Sequence, residues 1–210
     1  MRSDGRPDRA SVSDEAKEEL VREFPELKDL RANLSKEVYA HFGLVFFSFS
    51  LIEHSLINAV TFDGAFKEGR RKKIRTQSEW EHLVDKHFAR ATKATLGTLI
   101  KGLSGIREYD SVVSRLDAAN RKRNYLVHHF FREEIAYFSS NEGLWFLLSE
   151  IMKVRREVES IEPILGECFA RVCARIGLPK PTEDQLRGAM KEMELLGHKR
   201  VISGDTKVGW

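Results

Sequence analysis

Apolar residues recur at intervals of three and four along most of the chain, and almost no segment alternates with period two. A helix returns to one face every 3.6 residues and a strand every second residue, so the pattern predicts an all-α protein. The strongest stretch runs from Ser35 to about Phe62, where Val38, Tyr39, Phe42, Val45, Phe46, Phe49, Ile52, Leu56 and Val60 keep the helical spacing. Its middle is apolar nearly all round, which predicts a central helix. The following FDGAFKEGRRKKIRTQ, with Gly64 and Gly69, reads as a loop. Ser78 and Glu81 have the form of a capping box, so a helix is expected to open there and run through Leu83, Val84 and Phe88. Its continuation from Leu96 to Leu103 is interrupted by Gly97 and Gly102.

A further helix is expected over about Glu108 to Phe131, with Val112, Leu116, Ala119, Leu126 and Phe130 on one stripe and Arg123 in the slot where an apolar residue is due. Then comes a long stripe of Leu147, Ile151, Val154, Val158, Ile161, Leu165, Cys168 and Val172. Pro163 has no N–H and its ring clashes with the preceding turn, so the stripe must kink near Glu159 or divide into two abutting helices. Pro181 and Thr182 with Gln185 open a last helix through Leu186, Met190, Met193 and Leu196 that stops at Gly197. Long helices on short connections predict a helical bundle with a four-helix core. The expected organisation is a tail at 1–13, a helical arm at 14–34 broken or kinked by Pro25, the bundle at 35–178, a C-terminal helix at 179–197 and a tail at 198–210.

Composition narrows the function classes. The 210 residues hold 35 Lys plus Arg against 32 Asp plus Glu, a formal charge of +3, with 41% hydrophobic residues. That supplies a core and excludes a polycation. The longest apolar segment, Gly43 to Ile52, is interrupted by Ser48 and Ser50, so no membrane span is expected. The charged N-terminal segment has no apolar region of the secretory type, and a cytoplasmic protein is the expectation. Cys168 and Cys173 can form neither a disulfide scaffold nor a four-ligand zinc site, and read as small core residues.

No phosphate loop, dinucleotide fingerprint, zinc-protease helix or nucleophile elbow occurs, and neither a metal nor another cofactor is expected. His82, Asp85 and His87 lie close in sequence, yet five residues turn a helix by about 500°, leaving the two imidazoles roughly 140° apart. They read as a solvated face. Lys67, Arg70, Arg71, Lys72, Lys73 and Arg75 form the densest basic run, which suits either a phosphate backbone or a solubilising surface. Asp117, Arg121, Asn124 and His128 recur at four, three and four, so an acid, a base, an amide and an imidazole share one helix face. Arg123 projects instead from the apolar stripe, where a guanidinium must reach solvent or find a partner. Glu53 in the central helix, beside His54, is the candidate partner, and a structural ion pair is its simplest role.

Arg123-Asn-Tyr-Leu-Val-His128 resembles the Rx4–6H motif of the HEPN superfamily (higher eukaryotes and prokaryotes nucleotide-binding domain), in which a polar residue, commonly Asn, often follows the Arg. Arg121 to His128 and Arg123 to His129 also fall within the spacing; Arg123 with His128 is preferred. The resemblance covers roughly residues 36–178. It implies a small helical bundle, often homodimeric, acting as a metal-independent endoribonuclease, with a toxin or defence role among the expectations. On that pattern His128 would be the acid or base, Arg123 the phosphate clamp and Asn124 an orienting group. His129, Arg121, Glu53 and Asp117 would support them, and Arg70, Arg71, Lys72, Lys73 and Arg75 would hold RNA. The alternative it implies is a non-catalytic module that binds a nucleotide, RNA or a protein partner such as an antitoxin. Arg123 and His128 lie about 140° apart on a straight helix, so a second copy of the chain is expected to complete the site.

Overall fold

The computed structural model describes residues 13–25, 31–178, 182–185, 187, 188 and 191. Among these the protein is an all-α bundle with no strand. Eight helices follow in order: α1 (Asp14–Glu23), α2 (Arg31–Lys72), α3 (Gln77–Ala91), α4 (Leu96–Gly102), α5 (Val113–His128), α6 (Phe130–Glu133), α7 (Asn141–Glu159) and α8 (Glu162–Ile176). Short 3-10 turns at Arg107–Tyr109 and Ile135–Ser139 join α4 to α5 and α6 to α7. The chain divides into two compact units, one ending at Val172 and the other beginning at Cys173. The candidate site belongs wholly to the first. The expected tails and most of the C-terminal helix lie outside the described residues.

The spine is α2, whose 42 residues span about 63 Å. Val38, Val45, Phe49, Ile52, Leu56 and Ala59 are buried along one face, against which α7 packs most extensively and α3 and α4 pack further along. From α7 come Leu144, Leu147, Leu148, Ile151 and Met152, all buried. Truncating a side chain such as Leu56, fully buried, to Ala would cost about 2–5 kcal/mol. The opposite face of α2 is uncovered: Phe47 is 61% exposed and Leu44 is exposed beside it. The all-round apolar middle is therefore central but not enclosed. By length and hydropathy alone α2 could cross a membrane, with a window of mean hydropathy 1.4 that is one third buried. The serine-interrupted reading of that segment missed this because α2 runs on without a break.

The expected loop after Phe62 is helix. The glycines that suggested a break serve close packing instead: a Cβ on Gly64 would sit 2.6 Å from His87 Nδ1, and one on Gly69 would sit 3.0 Å from Ile74 Cδ1. Helix α2 ends where Lys73 adopts φ 56°, with Lys73 N–H donating to Arg70 O (3.3 Å) and Ile74 N–H to Gly69 O (3.1 Å). This is a Schellman closure with lysine in the left-handed position usually given to glycine. The next helix opens two residues before the expected start. Thr76 and Glu79 form the capping box, Glu79 N–H donating to Thr76 Oγ1 (3.3 Å) and Thr76 N–H to Glu79 Oε2 (3.1 Å). The Thr76 hydroxyl, donating to Glu79 Oε2 at 2.8 Å, and then the backbone N–H groups of Arg75 and Thr76 hold the Glu79 carboxyl below its ordinary range.

Pro163 divides the long stripe into α7 and α8, which separate at Ser160 and Ile161. Helix α5 begins later than expected, at Val113, and stops at His128; His129 has φ −125°, and α6 follows as a single turn. In the second unit the described geometry includes Gly177 at φ +78° closing α8 and a reciprocal Thr182–Gln185 cap, as the Thr182 signal predicts. Cys168 is buried and Cys173 half-buried; burial pushes the Cys173 thiol up.

Candidate functional site

Helix α5 presents Asp117, Arg121, Asn124 and His128 to solvent on one face, as their spacing requires. None of the four side chains makes a hydrogen bond or ion pair among the described residues. Leu116, Ala119 and Leu126 bury the opposite side and fix the helix rotation. Arg123 sits at the edge of that buried side, and its Nη2 lies 3.3 Å from Glu53 Oε1 on α2. Both side chains retain about a third of their surface, 32% and 30%. The expected partner is thus in place, and the pair is partly solvated. A guanidinium has five donors in a planar fork, so this contact leaves others for a further anion.

Arg123 and His128 do not touch each other; the exposed Val127 and Asn124 lie between them on the helix surface. The two histidines at the helix end have different fates. His129 is engaged: its Nδ1 lies 2.9 Å from Glu133 Oε1 and 2.9 Å from Arg132 Nη2, and its ring stacks on Tyr125. His128 is exposed, with only an edge contact to the His129 ring at 6.4 Å. Of the alternative spacings, those ending at His128 lead to an imidazole with no hydrogen-bond partner among the described residues.

Tyr125 stands at the surface of α5, one turn before His129. It is 38% exposed, and its hydroxyl donates to Glu134 (2.7 Å). Burial of part of the ring, then this bond to a carboxylate, pushes the phenol well above its ordinary range, so it stays protonated. Tyr125, Arg121 and Lys122 form one bank of a groove of about 450 Å³ between α5 and α7, with Leu126, Phe130, Leu147 and Ile151 at its base. Lys122 and Glu157 pair across it. Beyond the helix end an aromatic group ties α2 to α6, Phe42 meeting Phe130 and Phe131 at 5.5 and 4.7 Å and Tyr39 stacking on Phe131.

The basic run lies on the last turns of α2 and the link to α3, not on a loop of its own. Arg70, Arg71 and Lys72 close the helix, where cations offset its dipole. Lys67 pairs with Asp63 (2.7 Å), Lys72 with Glu68 (2.8 Å), and Arg70 lies over the Phe66 ring. Arg71, Lys73 and Arg75 are exposed and have no ion pair among the described residues. Arg70 is 17 residues beyond Glu53, about 26 Å along the axis, so the run is remote from Arg123.

Reading Glu68 as part of a loop concealed a cluster. Its carboxylate accepts from Lys72 (2.8 Å), Lys86 (2.8 Å) and the His87 imidazole (2.9 Å). Those bonds, Lys72 first, hold it far below the usual carboxylate range. The i, i+4 pair with Lys72 was visible in sequence, but the contacts from α3 were not. His82 is exposed and His87 turns inward to Glu68, so they point apart as the 140° separation predicts, and His87 does not belong to the solvated face expected for the three residues. Among the described residues no three His, Cys, Asp or Glu side chains gather as ligands of one ion. The chain matches no protein-family model, no curated protein and no solved structure.

Proposed function

We propose that the protein is a metal-independent endoribonuclease of the HEPN type, with His128 as acid or base and Arg123 as phosphate clamp. The observation that carries this reading is an exposed, unpartnered imidazole one helical turn and a half from a guanidinium whose ion pair is open to solvent. RNA brings its own nucleophile. The 2′-oxygen attacks phosphorus as its proton passes to a base, the 5′-oxygen leaves as it takes a proton, and a 2′,3′-cyclic phosphate remains. An imidazole can serve either as proton acceptor or as proton donor. Arg123 would offset the charge that builds on the non-bridging oxygens, and Asn124 would orient the imidazole or bind one of those oxygens. Two transfers need two groups, so a homodimer bringing a second His128 completes the scheme; the uncovered Leu44 and Phe47 strip on α2 supplies apolar surface for such a partner. Arg71, Lys73 and Arg75 would grip RNA remotely. A toxin or defence role, an antitoxin partner and a cytoplasmic location belong to the same proposal.

The test is incubation with total RNA in excess EDTA beside Arg123→Ala and His128→Ala variants, with product ends examined for 2′,3′-cyclic phosphate. Cleavage abolished by chelator, or surviving both substitutions, refutes the mechanism. The separation of Arg123 from His128 within one chain favours a second reading, a non-catalytic module that binds a nucleotide, RNA or protein. For it, RNA affinity should fall with salt and lose slope when Arg71, Lys73 and Arg75 are neutralised, with no cleavage by any preparation.

A further inference from the structure

We propose that the hollow between α2, α3 and α4 binds a small organic oxyanion, a phosphomonoester or carboxylate carried on a compact apolar body. This site is separate from the α5 face and does not depend on RNA cleavage.

The hollow measures about 320 Å³, and its wall includes Asp63, Gly64, His87, Arg90, Ala91 and Thr98. That volume is at the small end of the range for ligand pockets, roughly 300–1,000 Å³, which excludes a dinucleotide or a peptide helix and suits a one-ring body. Glycines bound it by close packing: a Cβ on Gly64 would lie 2.6 Å from His87 Nδ1, and one on Gly102 would meet Val60 at 3.2 Å. Val60, Ala91 and Leu99 supply apolar wall for the body of a ligand.

The charge balance decides the sign of the ligand. Two carboxylates stand near the hollow, and both are committed: Asp63, buried, to Lys67 at 2.7 Å, and Glu68 to Lys72, Lys86 and His87. Arg90 also lines it and has no ion pair among the described residues. Of the charged residues on the wall itself, Asp63 is neutralised by Lys67, so the uncommitted charge is the single positive charge of Arg90. A guanidinium in a concave, partly apolar site is the usual receptor for an oxyanion head. The Thr98 hydroxyl, which shares a hydrogen bond with that of Thr95 at 2.9 Å, stands on the same wall. His87 adds an imidazole to the wall, its ring fixed by Glu68 through Nε2 at 2.9 Å. The α5–α7 groove lacks this bias, since its rim alternates in sign and Lys122 and Glu157 neutralise each other across it.

The experiment titrates the full chain with phenyl phosphate, benzoate and inorganic phosphate, read by calorimetry and by amide NMR shifts. Saturable binding of phenyl phosphate, benzoate or both is expected, with shifts confined to residues around 60–64 and 87–102. Phenyl phosphate alone identifies a phosphomonoester site, benzoate alone a carboxylate site, and both the shared oxyanion chemistry. Arg90→Gln should weaken binding by roughly ten- to a hundredfold, the loss of one charged hydrogen-bond partner. Thr98→Val gives a milder loss, and Arg22→Gln, a similar charge change on α1 outside the hollow, none. Melting curves check that each variant is folded. No saturable binding at millimolar ligand, shifts centred elsewhere, or equal weakening by Arg22→Gln would overturn the proposal.

Discussion

Replacing Arg123 and Glu53 singly and together separates the structural role of that guanidinium from its role toward a phosphate. At the observed 3.3 Å, Coulomb's law gives about 1.3 kcal/mol in bulk water and roughly 5 kcal/mol at an effective dielectric of 20. With about a third of each side chain in solvent, the pair is near the aqueous limit, and ordering two long side chains offsets part of what is left. The double-mutant cycle of Arg123→Ala and Glu53→Ala in urea should therefore return a coupling of at most ~1 kcal/mol, about 2–4 °C in Tm for a domain of this size. The cycle is needed because Arg123→Ala also removes the packing of the aliphatic stem. The same single substitution should lower RNA cleavage by at least ~10²-fold, the cost of losing one donor to a developing oxyanion. A coupling above ~3 kcal/mol, the range of a sealed buried pair, would mean that the guanidinium is committed to the fold. With cleavage unchanged in Arg123→Ala, that result refutes the clamp.

Three further substitutions test the structure itself. Gly143→Ala at the start of α7 drives a Cβ into the carbonyl oxygen of Tyr137, a backbone collision that cannot relax by a rotamer change, so soluble folded protein should be lost; a normal melting curve would contradict that packing. Lys73→Gly relieves a left-handed lysine and should raise stability by about 0.5–1 kcal/mol in denaturant titration; a loss of stability would argue against the closure at Ile74. His41 is buried, with Nδ1 3.1 Å from Arg155 Nη1, and its pKa is lowered from 6.5 first by burial and then by Arg155, against the opposing Glu37, Glu23 and Glu159. Folding thus prefers the neutral ring: its contribution is complete above 6.5 and is lost as pH falls through the lower folded value. Stability should decline more steeply on acidification below neutral pH in the parent than in His41→Gln, and parallel slopes would exclude the linkage.

What the amino-acid order settled alone is everything that depends on neighbours within about one helical turn. The all-α class, the solvent-facing row Asp117, Arg121, Asn124 and His128, the division of the long stripe at Pro163 and the Thr182 cap follow from 3.6-residue periodicity and local hydrogen bonding. Packing between distant segments decided the rest. Gly64 and Gly69 resemble a break until α3 and Ile74 come close enough to need the missing side chains. Glu68 meets partners 18 and 19 residues away, and Arg155 meets His41 across 114 residues, separations that no periodic pattern encodes. Likewise, the engagement of His129 depended on where α5 stops and α6 turns, and the solvation of the Glu53 and Arg123 pair on how far neighbouring helices cover α2. A side chain's face is a property of its own helix; its partners and its water are set by the helices around it.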